Sequence, residues 1–328
     1  MKLLHRLLDV FDRWQRRTPL VGGAFAVQKK FNDDRLGQFV VALGWYGFVS
    51  IYPLLLVVTT ILGFIGVASL GTSIVSTLHE FPVIGSNFNP AHPSHDLQGS
   101  TLGLVVGLLG LVYGAQGVMQ SAQQAMAQAW NVPRGDRPGW LPRLARSLLG
   151  LAIIGGSFFA NAAVAGFATG HGESWPLRVA VIAAMLVVNT LLFFASFRTL
   201  TPGSVATRSL LPGAAVGAVG YTLLITVGSG LIQHQVRNSS ATYGQFGIVI
   251  GLVGFLFLVA KISLYGAELN PVLSRRLWPR SFVSGNPTAA DAAVLDYISS
   301  EVLRSAPEGG RPPASRHDDV SAGSPSRG

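Results

Sequence analysis

Lys261 and Glu268 are the two side chains least suited to their surroundings in this chain. The segment Ile248–Leu264 contains twelve strongly apolar residues, and Lys261 stands inside it. Seven residues make about two helical turns, so Lys261 and Glu268 would share one face roughly 10 Å apart. A charge at the centre of a membrane-crossing helix costs about 2.5–3.5 kcal/mol on insertion scales. Twelve apolar residues at about 0.3–0.6 kcal/mol each exceed that cost. The segment therefore inserts with its lysine in place. Two readings follow for the pair. Either they line a polar pathway or close an ion pair within a helix bundle, or Lys261 snorkels to the interface and Glu268 makes a structural bond near it.

Other polar groups lie in apolar stretches. Tyr46 and Ser50 are four residues apart, share a helical face and stand close to Tyr52 and Pro53. Proline removes one backbone donor and frees a carbonyl, which polar side chains or water must satisfy. Such a kink can build a site or merely be satisfied. Gln116, Gln120, Gln123 and Gln124 cluster at the end of one stretch, and Asn161 and Asn189 lie inside two others. Interhelical hydrogen bonding is their plainest role. His79, His92, His95 and Asp96 could supply zinc ligands, but their spacing is irregular and the segment is proline-rich. We expect no metal and no cofactor. No phosphate-binding glycine loop, nucleophile elbow or HExxH pattern is present, so we expect no enzyme.

The elements that would position these groups are membrane helices. Charged residues make up 12% of the 328 and hydrophobic ones 49%, against about 25% charged in soluble domains. Six apolar stretches fall at roughly 37–67, 101–121, 146–168, 178–199, 210–232 and 246–269. The first is too long for one straight span and contains Pro53, so one long, tilted or kinked helix is expected. Gly110/Gly114 and Gly213/Gly217 have the small-xxx-small spacing that lets helices approach closely.

Charge placement orients the bundle. The N-terminal segment carries eight Lys and Arg, the loop after the second stretch four, the loop after the fourth two, and the C-terminal tail seven. The alternate loops carry only Arg178 and Arg237. Positive charge stays on the cytoplasmic side, which places both termini there and agrees with an even number of spans. The net charge of +9 is explained by this topology and makes no separate case for nucleic acid. The absence of cysteine excludes disulfides and thiolate chemistry.

Three regions result. Residues 1–36 form a cytoplasmic segment whose first part, 3–14, reads as an amphipathic surface helix. Residues 37–270 form an all-α polytopic membrane domain of six helices. Residues 271–328 form a cytoplasmic tail, with a short helix over 289–304 and then a Ser-, Pro- and Gly-rich disordered end.

Several segments in order resemble the YihY/BrkB family of integral inner-membrane proteins. They are Ala42–Leu56, Trp130-Asn131-Val132-Pro133-Arg134 with Arg137, Pro212-Gly213-Ala214, Ala241-Thr242-Tyr243-Gly244, and Tyr265-Gly266-Ala267-Glu268-Leu269-Asn270. The resemblance covers roughly 20–275 and is most specific at the Gly-Ala-Glu-Leu-Asn end of the last span. Lys261 departs from it, standing where a neutral residue is expected. The resemblance implies a bacterial inner-membrane protein with six helices and links to virulence and the envelope. A ribonuclease label has been attached to the family, but the residues for that chemistry are missing here. Tyr46, Pro53, Trp130, Pro133, Arg134, Tyr243, Gly266, Glu268 and Asn270 match its motifs.

The expected function is transporter-like, moving or binding a lipid or amphiphilic envelope component. Its polar pathway would comprise Tyr46, Ser50, Tyr52, Tyr243, Lys261, Tyr265, Glu268 and Asn270. Pro53, Trp130, Pro133, Arg134 and Gly266 would hold the fold. The alternative is a non-transporting scaffold or regulator of envelope assembly. Membrane lipids are the expected partners, nucleic acid is not, and a homo-oligomer stays open.

Overall fold

A computed structural model describes residues 18–65, 101–133, 139–170, 175–203, 205–281 and 287–305. The amphipathic stretch 3–14, the histidines of 79–95, Arg134 and the end of the tail lie outside these residues. Every regular element among the described residues is helical. In order they are α1 (Pro19–Asp33), α2 (Gly37–Ile65), α3 (Thr101–Ala129), α4 (Trp140–Gly170), α5 (Trp175–Leu200), a 3₁₀ turn (Thr207–Leu210), α6 (Leu211–Ser274) and α7 (Ala289–Ser305).

Four segments are long and apolar enough to cross a membrane: Leu104–Ala129, Trp175–Leu200, Thr207–Thr226 and Ile250–Ser274. Their outward faces carry large apolar side chains, among them Val105, Leu109, Leu191 and Ile250. Water would leave such a belt uncovered at high cost, whereas lipid covers it. This is a membrane protein. The stretches around 37–67 and 146–168 are occupied by α2 and α4, of 29 and 31 residues.

The 64 residues of α6 would reach about 96 Å if straight. They do not run straight. The Gly213 amide donates to Asn270 Oδ1 at 2.7 Å, and a Cβ added to Gly220 would lie 2.8 Å from Ile262 Cγ2. Low numbers in the first limb meet high numbers in the second, so the limbs are antiparallel. The chain turns back between Thr226 and Ile250, and both pairings centre near Ala241. The fifth and sixth apolar stretches are these two limbs.

Close approach is what the glycines provide. A Cβ at Gly110 would lie 2.8 Å from Pro53 Cγ, and one at Gly114 would lie 2.7 Å from Ser50 Cβ. This seam joins α2 to α3, with Pro53 inside a helix that continues through it. Ser50 donates to the Gly47 carbonyl at 2.8 Å, using its own turn rather than a neighbouring helix.

Polar contacts tie the remaining helices. Asn161 on α4 donates to Asn189 on α5 at 3.1 Å, and Asn189 donates to Thr222 on α6 at 3.1 Å. Gln123 on α3 donates to Ser147 on α4 at 3.0 Å. Asn189 is the middle link of a three-helix chain, and interhelical bonds of this kind average about 0.6 kcal/mol with a maximum near 1.7. Asn189→Leu should therefore lower stability by about 1–2 kcal/mol, since it breaks two. Thr222→Val should cost about half as much. Thermal inactivation in detergent measures both.

Three helix ends close in the same way. Arg35, Asn131 and Arg276 have φ of 53°, 50° and 52°. The next residue in each case bonds back five positions: Leu36 to Phe31 at 3.0 Å, Val132 to Ala127 at 2.8 Å, and Leu277 to Val272 at 2.9 Å. This is the Schellman termination, with a left-handed residue that is usually glycine. Leu36, Val132 and Leu277 are buried, as the motif's apolar contact requires. These ends of α1, α3 and α6 frame the candidate site.

Candidate functional site, a buried charge cluster

Pro19 begins α1 at the position where a missing amide costs nothing. Its buried stripe is Ala26, Val27, Lys30, Phe31 and then Asp34. Two of those five are charged. The Lys30 side chain is fully buried, as is that of Glu268 on the second limb of α6, and Lys30 Nζ lies 2.7 Å from Glu268 Oε1. Lys30 also pairs with Asp34 and donates to the Ala129 carbonyl at 2.8 Å, at the end of α3. One ammonium thus holds three elements together. Asn131 completes the cluster, donating to Asp34 Oδ1 at 3.3 Å.

Packing seals it. Phe31, Leu36, Val40, Ala125, Ala129, Ala260 and Leu264 form one apolar cluster from α1, α2, α3 and α6. Phe31 stacks on Tyr265 with ring centroids 4.4 Å apart, and Tyr265 donates to Gln28. Arg275 closes the other side. Its Nη2 donates to the Trp130 carbonyl at 2.9 Å, and its guanidinium lies 5.6 Å from the Trp130 ring centroid and 4.2 Å from that of Tyr297.

Burial disfavours the charged form of Lys30, but the carboxylates of Glu268 and Asp34 outweigh it and hold the ammonium above the ordinary lysine range. Burial raises the Asp34 carboxyl, and Lys30 and Asn131 do not cancel that rise. Burial lowers the Arg275 guanidinium, against the opposing pull of Tyr297, Asp34 and Glu268.

The structure gathers some of the expected site residues and separates others. Glu268, Tyr265 and Trp130 meet here, whereas Asn270 and Gly266 pack against Gly213 on the first limb of α6, and Pro133 is buried nearby in sequence. Glu268 has Lys30 as its partner, not Lys261. Lys261 is exposed, with Nζ 6.0 Å from the Tyr265 ring centroid. Tyr46, Ser50 and Pro53 lie on the α2–α3 seam, where Tyr46 meets Tyr113 edge-on at 6.1 Å. The side chains of Tyr52 and Tyr243 lie outside the described residues.

The family model described as Virulence factor BrkB matches residues 27–289, most of the chain and every residue of the cluster. This chain belongs to the BrkB family. The inner membrane protein YhjD of Escherichia coli (strain K12) is 24% identical over 276 residues, covering 77% of this chain and 81% of that protein. YfkH of Bacillus subtilis (strain 168), named as ribonuclease-like, is 29% identical over 87 residues, which is 26% of this chain and 31% of that one. No solved structure matches.

In this BrkB-family chain the tail is fastened beside the cluster. Asp291, at the start of α7, accepts from Lys29 Nζ at 2.9 Å, Arg280 Nε at 2.9 Å, the Ser281 amide at 2.8 Å and the Thr288 amide at 3.0 Å. Arg280 Nη1 reaches Asp33 at 2.8 Å. Burial alone would raise the Asp291 carboxyl, but the Thr288 and Ser281 amides and the Lys29 ammonium hold it well below the usual range. Its contribution is thus complete above the ordinary carboxylate range and is lost as pH falls below it. Asp291→Ala should free α7, accelerating amide exchange over Ala289–Ser305 at least ~10-fold, about 1.4 kcal/mol of local stability. Exchange in the membrane helices should not change.

Lys30, Asp34, Asn131, Arg275, Arg280 and Asp291 were not among the sequence candidates. In the sequence Lys30 reads only as one of the eight N-terminal positive charges. The signal that could have found it is local: Lys30 and Asp34 fall on the apolar stripe set by Ala26, Val27 and Phe31. Nothing local marks Asp291 or Arg275, whose partners are far away in sequence.

Proposed function

We propose that this protein is a transporter-like inner-membrane protein that binds or moves a lipid or amphiphilic envelope component. It crosses the membrane six times, with both termini in the cytoplasm. The observation that supports this reading is the fully buried Lys30–Glu268 pair, joining α1, α3 and α6 beneath an apolar exterior. Ionisable groups inside a membrane protein are costly and mark pathways or couplings by default. The topology rests on α2, α4 and the four apolar segments as six crossings, and on the Lys and Arg bias between alternate loops. Its partners are membrane lipids, and it carries out no covalent chemistry.

One observation favours a non-transporting scaffold instead. The helix α7 is anchored through Asp291 yet keeps Leu295 64% exposed, a surface suited to a protein partner. Native mass spectrometry of protein released from mild detergent separates the two. A specific lipid retained by wild type and lost in Glu268→Gln supports the amphiphile reading and names the class to test in proteoliposomes. Bulk lipid alone, unchanged by the substitution, overturns it in favour of the scaffold.

A further inference from the structure

The cluster is unbalanced at its centre. Asp34 and Glu268 both face the single ammonium of Lys30, and none of the three side chains is exposed. One oxygen of each carboxyl lies within ion-pair distance of the same Lys30 Nζ, so the two groups flank a single buried ammonium. Two carboxylates set against one ammonium leave a buried negative charge uncompensated unless one of them takes up a proton. Glu268 Oε1 meets Lys30 Nζ as an ion pair at 2.7 Å, and neither Glu268 oxygen accepts a hydrogen bond of good geometry among the described residues. Like charges in one dry site favour protonation of one member.

The surrounding groups do not repair the imbalance by contact. On α1 the other ionisable neighbour is Asp33, which is negative and paired with Arg280. From α3 only neutral groups face the pair, the Ala129 carbonyl and Asn131. On α6, Arg275 acts on both carboxyls from a distance while giving its Nη2 to Trp130 and its face to Tyr297 of α7. Lys261, also on α6, is exposed beyond Tyr265.

We propose that Asp34 and Glu268 form a carboxyl pair that binds one exchangeable proton beside Lys30. The proton sits on an oxygen of one carboxyl, which leaves the other as the carboxylate partner of the Lys30 ammonium, and on release both remain as carboxylates against it. Burial raises the Asp34 carboxyl above its ordinary range, in the same direction. Such a site ties the α1–α6 contact to pH. The folded state holds this proton more tightly than the unfolded chain, so it loses stability as pH rises through the site's titration. The site does not depend on whether the protein moves a ligand, so its test stands apart from that of the amphiphile reading.

The test is pH-difference infrared spectroscopy of the full-length protein in lipid nanodiscs, in H₂O and D₂O. Exposed carboxyls are ionised above about pH 5. Above that value the wild type should show a protonated-carboxyl stretch that shifts in D₂O and disappears on further alkalinisation. Glu268→Gln and Asp34→Asn should each abolish it, because either leaves one carboxylate paired with Lys30. No such band in the wild type, or a band kept by both variants, overturns the proposal. If neither variant folds, wild type labelled with ¹³C in aspartate or glutamate carboxyls decides instead. A band that shifts with either label supports the pair, and one that shifts with neither overturns it.

Discussion

Lys30→Met will destabilise this protein by roughly 3–5 kcal/mol, the usual cost of leaving a buried charge without its partner. The ammonium is the common partner of Asp34 and Glu268 and also donates to the Ala129 carbonyl. Methionine keeps most of the volume and removes all three contacts. The two carboxyls then face each other in a sealed site and must take up protons to stay folded. That sets the sign of the pH effect. The folded state then binds more protons than the unfolded chain, so stability falls as pH increases. The variant should be closer to wild type at about pH 5 than at about pH 8, where unfolded carboxyls are fully ionised. Adding Glu268→Gln and Asp34→Asn to Lys30→Met should recover much of the loss, because no buried charge then lacks a partner. Thermal unfolding in detergent across pH reads both effects. A Lys30→Met protein as stable as wild type at pH 8 would show that the cluster does not hold α1 to the bundle.

The second large effect is steric. An added Cβ at Gly213 would lie 1.9 Å from the Gly266 carbonyl oxygen and 2.5 Å from Asn270 Oδ1. The nearer atom is backbone, so the limbs of α6 must separate for any side chain to fit. Gly213→Leu should cost about 3 kcal/mol or more, at the upper end of overpacking, and should break the Asn270 bond to the Gly213 amide. Gly150→Ala is the milder comparison. Its Cβ would meet Met119 Sδ at 2.8 Å, the end of a flexible side chain. At Gly23, in α1, nothing lies within 4 Å, so alanine should be neutral or gain up to about 1 kcal/mol of helix propensity. Cysteine cross-linking between the Gly220 and Ile262 positions, where a Cβ at 220 would lie 2.8 Å from Ile262 Cγ2, would report limb separation: the Gly213→Leu background should cross-link less than the background with Gly213 intact. The three substitutions rank a close crossing against a yielding contact and an open one.

The membrane character of the chain and most of its helices follow from local pattern. Apolar runs long enough to span lipid are contiguous in sequence, and each residue contributes its transfer energy whatever its neighbours do. That is why the stretches near 101–121, 178–199, 210–232 and 246–269 coincide with membrane-length helical segments. It is also why the periodicity of Val294, Leu295 and Ile298 coincides with α7. Helix ends were harder to read. The left-handed residues that terminate α1, α3 and α6 are Arg35, Asn131 and Arg276, not the glycines that usually announce such a turn. Without such a glycine, α1 is not separable by sequence from the rest of residues 1–36.

The site itself was half legible. Glu268 is conspicuous from sequence because a carboxylate at the end of an apolar span is costly, and that cost is local. Its partner is a property of packing. Lys261, seven residues away in sequence, projects to the surface, while Lys30, on a helix near the N-terminus, reaches Glu268 at 2.7 Å. The choice depends on which faces of α1, α3 and α6 meet, and that is set by close crossings such as Gly213 on Gly266 and by the apolar cluster around Phe31 and Leu264. The chain's composition dictates that its charges be hidden from lipid. Only the assembled helices determine which charge each one finds, because a Coulomb interaction depends on distance in space and not on separation along the chain.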